Sequence, residues 1–375
     1  MISIFTDTFF YLCSATEGKL QIKTMKQINK ILIIRFRQIG DSILATSLCS
    51  TLKATFPEAE IHFLLNANIA PLYQGHPHID KIITYDKNDN KPFISYLRKT
   101  WQTVHQNKYD VIIDMRSTIR TLFFSLFSLR TPFRIGYKKK YTHFLLSHSI
   151  DIKEKRRTLD MVQQDLLLAQ PLSALKEIQY TNKFSLFLTE EEKMNFRNYM
   201  EHEGVDFNKP VVLIGVTTKL AHKMWNKEYM KDVLNRILTI HENLQLIFNY
   251  APGHEENEAK EMYEELGRHK NIKINIQASS LRELAALCSN CSFYFGNEGG
   301  TRHMVQALQI PSFAIYSPSA SKKTWLPANS VTASGICVDD VLSKEEQKNK
   351  SKEECYNAIT PDKVFQQLND MLKRL

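Results

Sequence analysis

Residues 296–303 combine glycines, a carboxylate and an imidazole between an apolar strand and a helix. The preceding segment 291–295 is typical of a buried strand, and 304–308 continues as a helix. Glycines at such a turn let a ligand approach the backbone, and unpaired N–H groups of the first helical turn favour an anion. The sequence of this turn therefore predicts a binding site for a diphosphate. A glycine-rich connection without a ligand is the alternative, and this segment alone leaves both open.

Four residues of this turn are candidate ligand contacts: Glu298, Gly299, Gly300 and His303. A carboxylate beside a diphosphate is electrostatically unfavourable, so we expect Glu298 to contact the hydroxyl groups of a sugar or ribose instead. His303 lies one turn into the helix, where it either contacts phosphate or has a purely structural role.

Asp41 follows Gly40 and directly precedes an apolar helical segment that begins at Ser42. A short carboxylate in this position fits an N-cap, which accepts hydrogen bonds from the first helical turn. It also fits a general base at the floor of a cleft, which takes the proton of an attacking hydroxyl. The two roles are compatible in one side chain, and the sequence leaves both open.

A second group of polar residues follows the apolar strand at 211–214 and consists of Thr217, Thr218 and Lys223. Hydroxyl groups and an ammonium group after a strand suit the oxygens of a phosphate. The alternative is a solvated surface loop.

Several common nucleotide and metal signatures are absent from the sequence. Neither G-x-G-x-x-G nor G-x-x-x-x-G-K-[ST] occurs, which argues against the common dehydrogenases and nucleoside triphosphatases. There is no D-x-D pair to hold a metal on a diphosphate, and Cys288 and Cys291 lack a second pair for zinc. We therefore expect no metal and no cofactor, with lysine and a helix terminus supplying the positive charge.

Short apolar strands alternate with amphipathic helices along most of the chain, which predicts parallel sheets covered on both faces. The alternation begins near residue 31 and again near residue 211, so we predict an α/β protein with two Rossmann-like, doubly wound domains facing across a cleft. We predict one domain at 25–185 and a second at 186–350. Residues 1–24 are predicted to be an extension that is either disordered or upstream of the true start. The C-terminal helix at 351–375 is predicted to pack back on the first domain.

The 375 residues include 49 lysines and arginines against 40 aspartates and glutamates, a net charge of +9. This excess favours anionic partners, and without an RNA- or DNA-binding signature it does not indicate nucleic acid. The six cysteines show no disulfide pattern, which fits the cytoplasm. Arg116 and Arg120 begin a basic series flanking the apolar stretch 122–129. That stretch is too short to span a bilayer and fits either an anionic lipid surface or an ordinary helix with a solvated rim.

Together these residues resemble glycosyltransferase family 9, the heptosyltransferases of bacterial lipopolysaccharide core assembly. The resemblance covers most of the chain from about residue 28 to 330. It rests on the segments 31–42, 109–114, 223–225, 251–256, 295–303 and 311–318. The family has the two-domain GT-B fold and transfers heptose from ADP-heptose, with inversion, to a hydroxyl of the growing core.

The resemblance implies a role for each candidate residue. Asp41 corresponds to the catalytic aspartate of the family. The donor-binding positions correspond to Thr217, Thr218, Lys223, Glu298, Gly299, Gly300 and His303. In the first, acceptor-binding domain, Arg116 and Arg120 are the candidates for an anionic glycolipid acceptor, and we expect the enzyme at the cytoplasmic face of the inner membrane.

The chain departs from the family pattern in the glycine turn. The family usually has aspartate where this chain has Glu298, and a Thr-Gly or Ser-Gly pair where it has Gly299 and Gly300. The longer carboxylate and the lost hydroxyl bear on which sugar is transferred, a heptose or a hexose. Two alternatives remain: a nucleotide-sugar epimerase of the same fold and a non-catalytic nucleotide-sugar-binding protein, and the intact Asp41 and Lys223 argue against the second.

Overall fold

The computed structural model describes residues 27–86, 89, 92–142, 144–327 and 332–375. Its contacts divide the chain into two compact units. Among the described residues, the first unit comprises 27–37 and the segment Ala45–Phe184, and the second comprises Gln38–Leu44 and Ser185–Leu375. The division after Phe184 lies one residue from the boundary read from the sequence, whereas the sequence pattern does not foresee that Gln38–Leu44 belongs to the second unit. The predicted extension 1–24 lies outside the described residues.

Strands and helices alternate through both units. The strands are β1 (Lys30–Ile34), β2 (Glu60–Asn66), β3 (Lys81–Tyr85), β4 (Val111–Asp114), β5 (Phe133–Tyr137), β6 (His148–Ile150), β7 (Val211–Gly215), β8 (Gln245–Phe248), β9 (Ile272–Lys273), β10 (Phe293–Asn297), β11 (Ser312–Ile315) and β12 (Ala333–Ile336). The α-helices are α1 (Ile39–Leu44), α2 (Thr46–Thr55), α3 (Phe93–Asn107), α4 (Leu122–Leu126), α5 (Met161–Leu166), α6 (Glu190–His202), α7 (Lys227–Ile240), α8 (His254–Glu265), α9 (Leu281–Ser289), α10 (Gly300–Ala307), α11 (Lys322–Trp325), α12 (Lys344–Lys348), α13 (Lys352–Asn357) and α14 (Pro361–Leu372).

The first unit contains a parallel sheet with the strand order β3-β2-β1-β4-β5-β6. Its central strand β1 is apolar without alternation, and the side chains from Ile31 to Ile34 are fully buried. Such strands form where helices cover both faces of a parallel sheet. Helix α3 buries Tyr96, Thr100 and Val104, which share one face at a spacing of four residues.

The second unit repeats this plan with the strand order β12-β11-β10-β7-β8-β9, again all parallel. Strands β7 and β10 pair at the centre of its sheet, and all residues of both strands are buried. Two doubly wound parallel sheets confirm the predicted α/β class.

The strand orders locate the ligand-binding edge of each sheet. Numbered within its own unit, each sheet has the order 3-2-1-4-5-6, which reverses between β1 and β4 in the first unit and between β7 and β10 in the second. Ligands of doubly wound sheets bind beyond the carboxyl ends of the two strands at such a reversal. In the second unit, the segments that follow β7 and β10 are those that contain Lys223 and Glu298.

The last helix, α14, belongs to the second unit. It packs against α7, and Val364, Leu368 and Leu372 are buried in the same core as that helix. The sequence analysis places the C-terminal helix on the first domain. The structure differs because this apolar face completes the core of the second unit. No helix within the described ranges is long and apolar enough to cross a membrane.

Candidate active site

Strands β7 and β10 approach each other closely at a pair of glycines. Gly296 lies opposite Gly215 in the register of the two strands. Its φ is +151°, and a Cβ atom at this position would lie 2.5 Å from the Gly215 carbonyl oxygen. Tyr294 donates a hydrogen bond from its hydroxyl to the Asn297 carbonyl at 2.8 Å, which closes the end of β10. Gly296 is therefore required by the sheet, and it is not available as a ligand contact.

Asn297 joins the two loops of the site. Its side-chain amide donates to the carbonyl oxygens of Gly215 at 3.0 Å and Val216 at 3.1 Å, and its side-chain oxygen accepts from the Trp225 N–H at 2.8 Å. The Trp225 indole N–H in turn donates to the Ile359 carbonyl at 3.0 Å. This buried amide holds both ends of the loop after β7 against the end of β10.

Lys223 and Glu298 form an ion pair across these loops, with 2.9 Å between Nζ and Oε2. The Glu298 side chain is almost completely buried, whereas about a quarter of the Lys223 side chain is exposed. Tyr356 donates from its hydroxyl to the Lys223 carbonyl at 2.9 Å and supports the backbone of the loop. A buried carboxylate needs a counter-charge, and Lys223 provides it here.

Thr217 and Thr218 lie one residue beyond the end of β7, and both are half-buried. The Thr217 hydroxyl donates to Oε2 of Glu255 in the first turn of α8 at 2.9 Å. The Thr218 hydroxyl donates to the Leu220 carbonyl at 2.7 Å. Both hydroxyls can still accept a hydrogen bond, but donation to a phosphate oxygen would require them to exchange these partners.

Gly299 and Gly300 open α10 and differ in their surroundings. A Cβ atom at Gly299 would meet no atom of the described residues within 4 Å, and one at Gly300 would make ordinary contact with Ile39 at 3.6 Å. The first N–H groups of a helix lack partners within the helix and attract anions. The turn thus offers backbone donors with open space at Gly299.

Asp41 is part of the same unit as the glycine turn. It is the third residue of α1, is 8% exposed, and lies in the segment Gln38–Leu44 that packs against α10. A Cβ atom at the neighbouring Gly40 would lie 2.5 Å from Cδ2 of His303. The N-cap interpretation of Asp41 is wrong, because the helix begins at Ile39 and Asp41 lies inside its first turn.

His303 lies in the fourth position of α10 and is almost fully buried. Burial lowers its pKa well below the ordinary value of 6.5, and the charges of Arg302 and Lys223 act in the same direction. The imidazole is therefore neutral near pH 7. Its ring contacts the edge of Trp325 at 5.8 Å between ring centroids.

Arg302 is a completely buried cation beside this histidine. Its guanidinium donates to Oε1 of Gln306 at 2.6 Å and to the Trp325 carbonyl at 2.8 Å. Its Nε has no hydrogen-bond partner, and no carboxylate of the described residues pairs with it. Its Nη2 lies 2.7 Å from a ring nitrogen of His303, on the helix whose first turn contains the glycines.

Arg116 and Arg120 lie in the first unit, after β4. The Arg116 carbonyl accepts from Nζ of Lys139 at 2.8 Å, and the exposed Arg120 guanidinium lies 5.1 Å from the centre of the Tyr96 ring. Burial lowers the pKa of Lys139, and the guanidinium groups of Arg116, Arg156 and Arg37 act in the same direction. Cations thus follow the carboxyl ends of β1, β4, β5 and β6 in one sheet.

The comparison with known families decides what kind of protein this is. The model of "Glycosyltransferase family 9 (heptosyltransferase)" matches residues 97–357, which is more than half of the chain. The chain belongs to glycosyltransferase family 9. It is accordingly a glycosyltransferase, and the enzyme class and family predicted from the sequence are confirmed.

Individual relatives are distant but similar over most of their length. Lipopolysaccharide heptosyltransferase 1 of Campylobacter coli is 23% identical over 306 residues, which cover 80% of this chain and 87% of that protein. The crystal structure of a family 9 glycosyltransferase from Veillonella parvula matches with a TM-score of 0.76 at 16% identity, over 93% of this chain and 98% of that one. The structure of E. coli ADP-heptose LPS heptosyltransferase II matches with a TM-score of 0.72 at 21% identity, over 92% and 99%. These matches confirm the GT-B fold.

In this glycosyltransferase the predicted donor residues and the predicted base belong to one unit. They are Asp41, Thr217, Thr218, Lys223, Glu298, Gly299, Gly300 and His303. The predicted acceptor residues Arg116 and Arg120 belong to the other.

Sequence reasoning missed three polar residues of the glycosyltransferase. Asn297 and Arg302 lie within the glycine segment 296–303, but their polar and glycine neighbours give no signal that both side chains are buried. Asp165, which pairs in the interior of the first unit with Arg35 at 3.2 Å, gives no signal in the sequence.

Proposed function

We propose that this glycosyltransferase transfers heptose from ADP-heptose, with inversion, to a hydroxyl of a lipopolysaccharide core or a related surface glycan. The relatives named above support the sugar and the acceptor class, because their names state heptosyl transfer, lipopolysaccharide and, in one case, ADP-heptose. A hexose remains the alternative sugar because of Glu298 and Gly299.

The observation that carries the mechanism is the packing of the α1 segment against α10, which brings Asp41 into the unit of the glycine turn. In the proposed step, the acceptor oxygen attacks the anomeric carbon of the donor and its proton passes to Asp41. The bond between that carbon and the diphosphate oxygen breaks, and ADP leaves with the electron pair. A positioned base contributes typically about 100- to 10,000-fold to such a step.

The leaving diphosphate needs positive charge that is in place before the reaction. We propose that Lys223 and the first N–H groups of α10 supply it, and that the hydroxyls of Thr217 and Thr218 orient the phosphate oxygens. Lys223 is held beside the site by Glu298, so it is positioned before the donor binds. Glu298 then faces the sugar, which is consistent with its predicted contact with hydroxyl groups. No metal is assigned a role in this step.

For the acceptor we propose the basic carboxyl edge of the sheet in the first unit. Arg116 and Arg120 lie there together with the cations that follow β5 and β6, namely Lys138, Lys139, Lys140, Lys153, Lys155, Arg156 and Arg157. This edge fits an acceptor that carries phosphate or carboxylate groups. Because the acceptor is a glycolipid in this proposal, the enzyme works at the cytoplasmic face of the inner membrane.

The test is transfer from ADP-heptose to de-acylated core oligosaccharides by the protein and by Asp41→Asn. We expect the variant to bind ADP as tightly as the unsubstituted protein and to transfer about 100- to 10,000-fold more slowly. Asp370→Asn, a substitution of an exposed carboxylate on α14, is the matched control and should keep full activity.

Each contrary result has a distinct meaning. Full activity of Asp41→Asn refutes the base assignment. Conversion of the donor alone to an epimer or free sugar favours the epimerase alternative. Donor binding without turnover on every acceptor supports the non-catalytic one.

A further inference from the structure

We propose that one face of the first unit docks on a bilayer that contains anionic phospholipid. This face, here called the α3–α4 face, consists of the apolar side chains of Phe93, Ile94, Trp101, Ile119, Leu126 and Leu129. The proposal concerns where the enzyme is held, and it does not depend on which sugar is transferred.

The residues of this face lie on or beside two helices that pack together. Helices α3 and α4 pack against each other, and the Phe93 ring lies 5.5 Å from the Phe123 ring between centroids. Tyr96 of α3 donates from its hydroxyl to the Arg120 carbonyl at 2.7 Å, which fixes the adjacent Ile119 beside the start of α3. Trp101 lies two helical turns further along the exposed side of α3.

These side chains are exposed to an unusual degree for their type. Ile94 is 72% exposed and Ile119 is 68% exposed, while half of the surface of Phe93 and Trp101 is open. Single exposed apolar residues are ordinary, but a contiguous group of them marks an interaction surface. Aromatic side chains among aliphatic ones suit the boundary between lipid head groups and acyl chains.

The charge around the face determines which partner fits. Three arginines are exposed here: Arg98 on α3, and Arg120 and Arg130 on the segments that flank α4. Between residues 93 and 140 the sequence has only two acidic residues, Asp110 and Asp114. Asp114 is buried, and the Asp110 carboxylate accepts the backbone N–H groups of Asn29 and Lys30.

A second copy of the chain would bring the same cations against this face, which like-charge repulsion disfavours. An anionic lipid surface attracts each cation and accepts the apolar side chains at the same time. Apolar side chains and arginines on one face therefore favour the bilayer over a dimer.

The test is binding of the full chain to vesicles that contain no glycolipid, so its outcome is independent of sugar transfer. Vesicles of phosphatidylglycerol and phosphatidylcholine in equal parts are compared with vesicles of phosphatidylcholine alone by co-sedimentation. We expect binding to the anionic vesicles only, a loss of binding as salt is raised, and a blue shift of the Trp101 fluorescence that Trp101→Phe abolishes.

Two matched pairs of substitutions test whether vesicle binding depends on this face or on any exposed apolar side chain. Ile94→Ser with Ile119→Ser should weaken binding to anionic vesicles by about tenfold or more, because two apolar anchors are lost. Met194→Ser with Ile240→Ser removes two exposed apolar side chains of the second unit and should leave binding unchanged. Thermal unfolding of both pairs checks that the fold is intact.

Three results would overturn the proposal: equal binding of the two variant pairs, equal binding to both kinds of vesicle, or no binding at all. If the Ile94 and Ile119 pair instead converts a dimer to a monomer in sedimentation velocity, a second copy covers the face.

Discussion

Glu298 has two opposing effects on the residue that we assign to the diphosphate. It holds Lys223 in place through the ion pair at 2.9 Å, and it places a negative charge beside the site where a negative ligand would bind. Lys223 has to satisfy both the buried carboxylate and the phosphate oxygens. The balance between these effects sets the affinity for the donor, so substitutions of the two partners should change it in opposite directions.

Lys223→Ala should weaken ADP binding by roughly 10- to 150-fold, because hydrogen bonds to charged groups contribute about 1.5–3 kcal/mol. Glu298→Gln should strengthen ADP binding by about two- to fivefold, because the competing carboxylate is neutralised in a partly exposed pair. Isothermal titration calorimetry with ADP measures both.

Lys219→Ala serves as the control, because this exposed lysine lies four residues earlier in the same loop. Equal loss of affinity in Lys219→Ala and Lys223→Ala would mean that the loop contributes only diffuse charge. Weaker ADP binding in Glu298→Gln would mean that positioning of Lys223 outweighs repulsion.

At the scale of elements, two glycines near the turn between β10 and α10 have different structural roles. Gly296 lets β10 approach β7, and Gly299 leaves open space at the start of the helix. Both look alike in the sequence. They should respond differently to the same substitution.

Gly296→Ala should destabilise the protein by at least about 2 kcal/mol, because its Cβ would overlap the Gly215 backbone at a φ that favours glycine. Gly299→Ala should leave stability within about 0.5 kcal/mol, because its Cβ meets no neighbour and the backbone there is extended. The same methyl group should weaken ADP binding if a diphosphate approaches this backbone. Urea unfolding and calorimetry separate the two outcomes, and intact ADP binding in Gly299→Ala would remove the diphosphate from this turn.

The glycine turn and the sheets are predictable from the sequence because their signals are local. Strands such as β1 and β7 are short apolar runs, and the segment around Glu298 lies between a strand and a helix. The contacts of Asn297 are not predictable, because its three hydrogen bonds reach residues more than 70 positions away. The same holds for Glu298, whose pairing with Lys223 follows only from the adjacency of β7 and β10 in the strand order.

Helix boundaries and the position of the last helix show where local signals fail. The sequence predicts a helical segment that begins at Ser42, whereas the structure has α1 beginning at Ile39 and separated from α2 at Ala45, and α1 belongs to the second unit. The amphipathic pattern of α14 correctly predicts a helix but cannot state which core its apolar face covers. Burial of Arg302 is likewise set by surrounding elements, since an arginine in a helix is ordinarily solvated.

At the scale of the whole molecule, the chain passes from the first sheet into the second unit and back within a few residues. Segment Gln38–Leu44 leaves β1, packs on α10 and returns to α2 in the first unit. The proposed base therefore lies on a short segment that belongs to the second unit, although the chain on both sides of it belongs to the first. This arrangement predicts energetic coupling between two positions that are 263 residues apart in the sequence, Gly40 and His303.

A double-mutant cycle measures this coupling. Gly40→Ala alone should destabilise the protein by about 1–3 kcal/mol, because its Cβ would lie 2.5 Å from a buried ring that has no room to move. In the background of His303→Ala the ring is absent, so Gly40→Ala should become neutral or slightly stabilising through its higher helix propensity. The expected coupling is about 1–3 kcal/mol, which urea unfolding resolves.

Gly300→Ala is the control for this cycle, because its Cβ would make only ordinary contact with Ile39 at 3.6 Å. It should be tolerated in either background with no coupling to His303. Additive effects of Gly40→Ala and His303→Ala on the free energy of unfolding would mean that the two positions are not coupled. They would thereby contradict the packing of α1 on α10, on which the assignment of Asp41 depends. A sign change of the Gly40→Ala effect in the His303→Ala background would instead tie the segment that contains the proposed base to the helix that opens at the glycine turn.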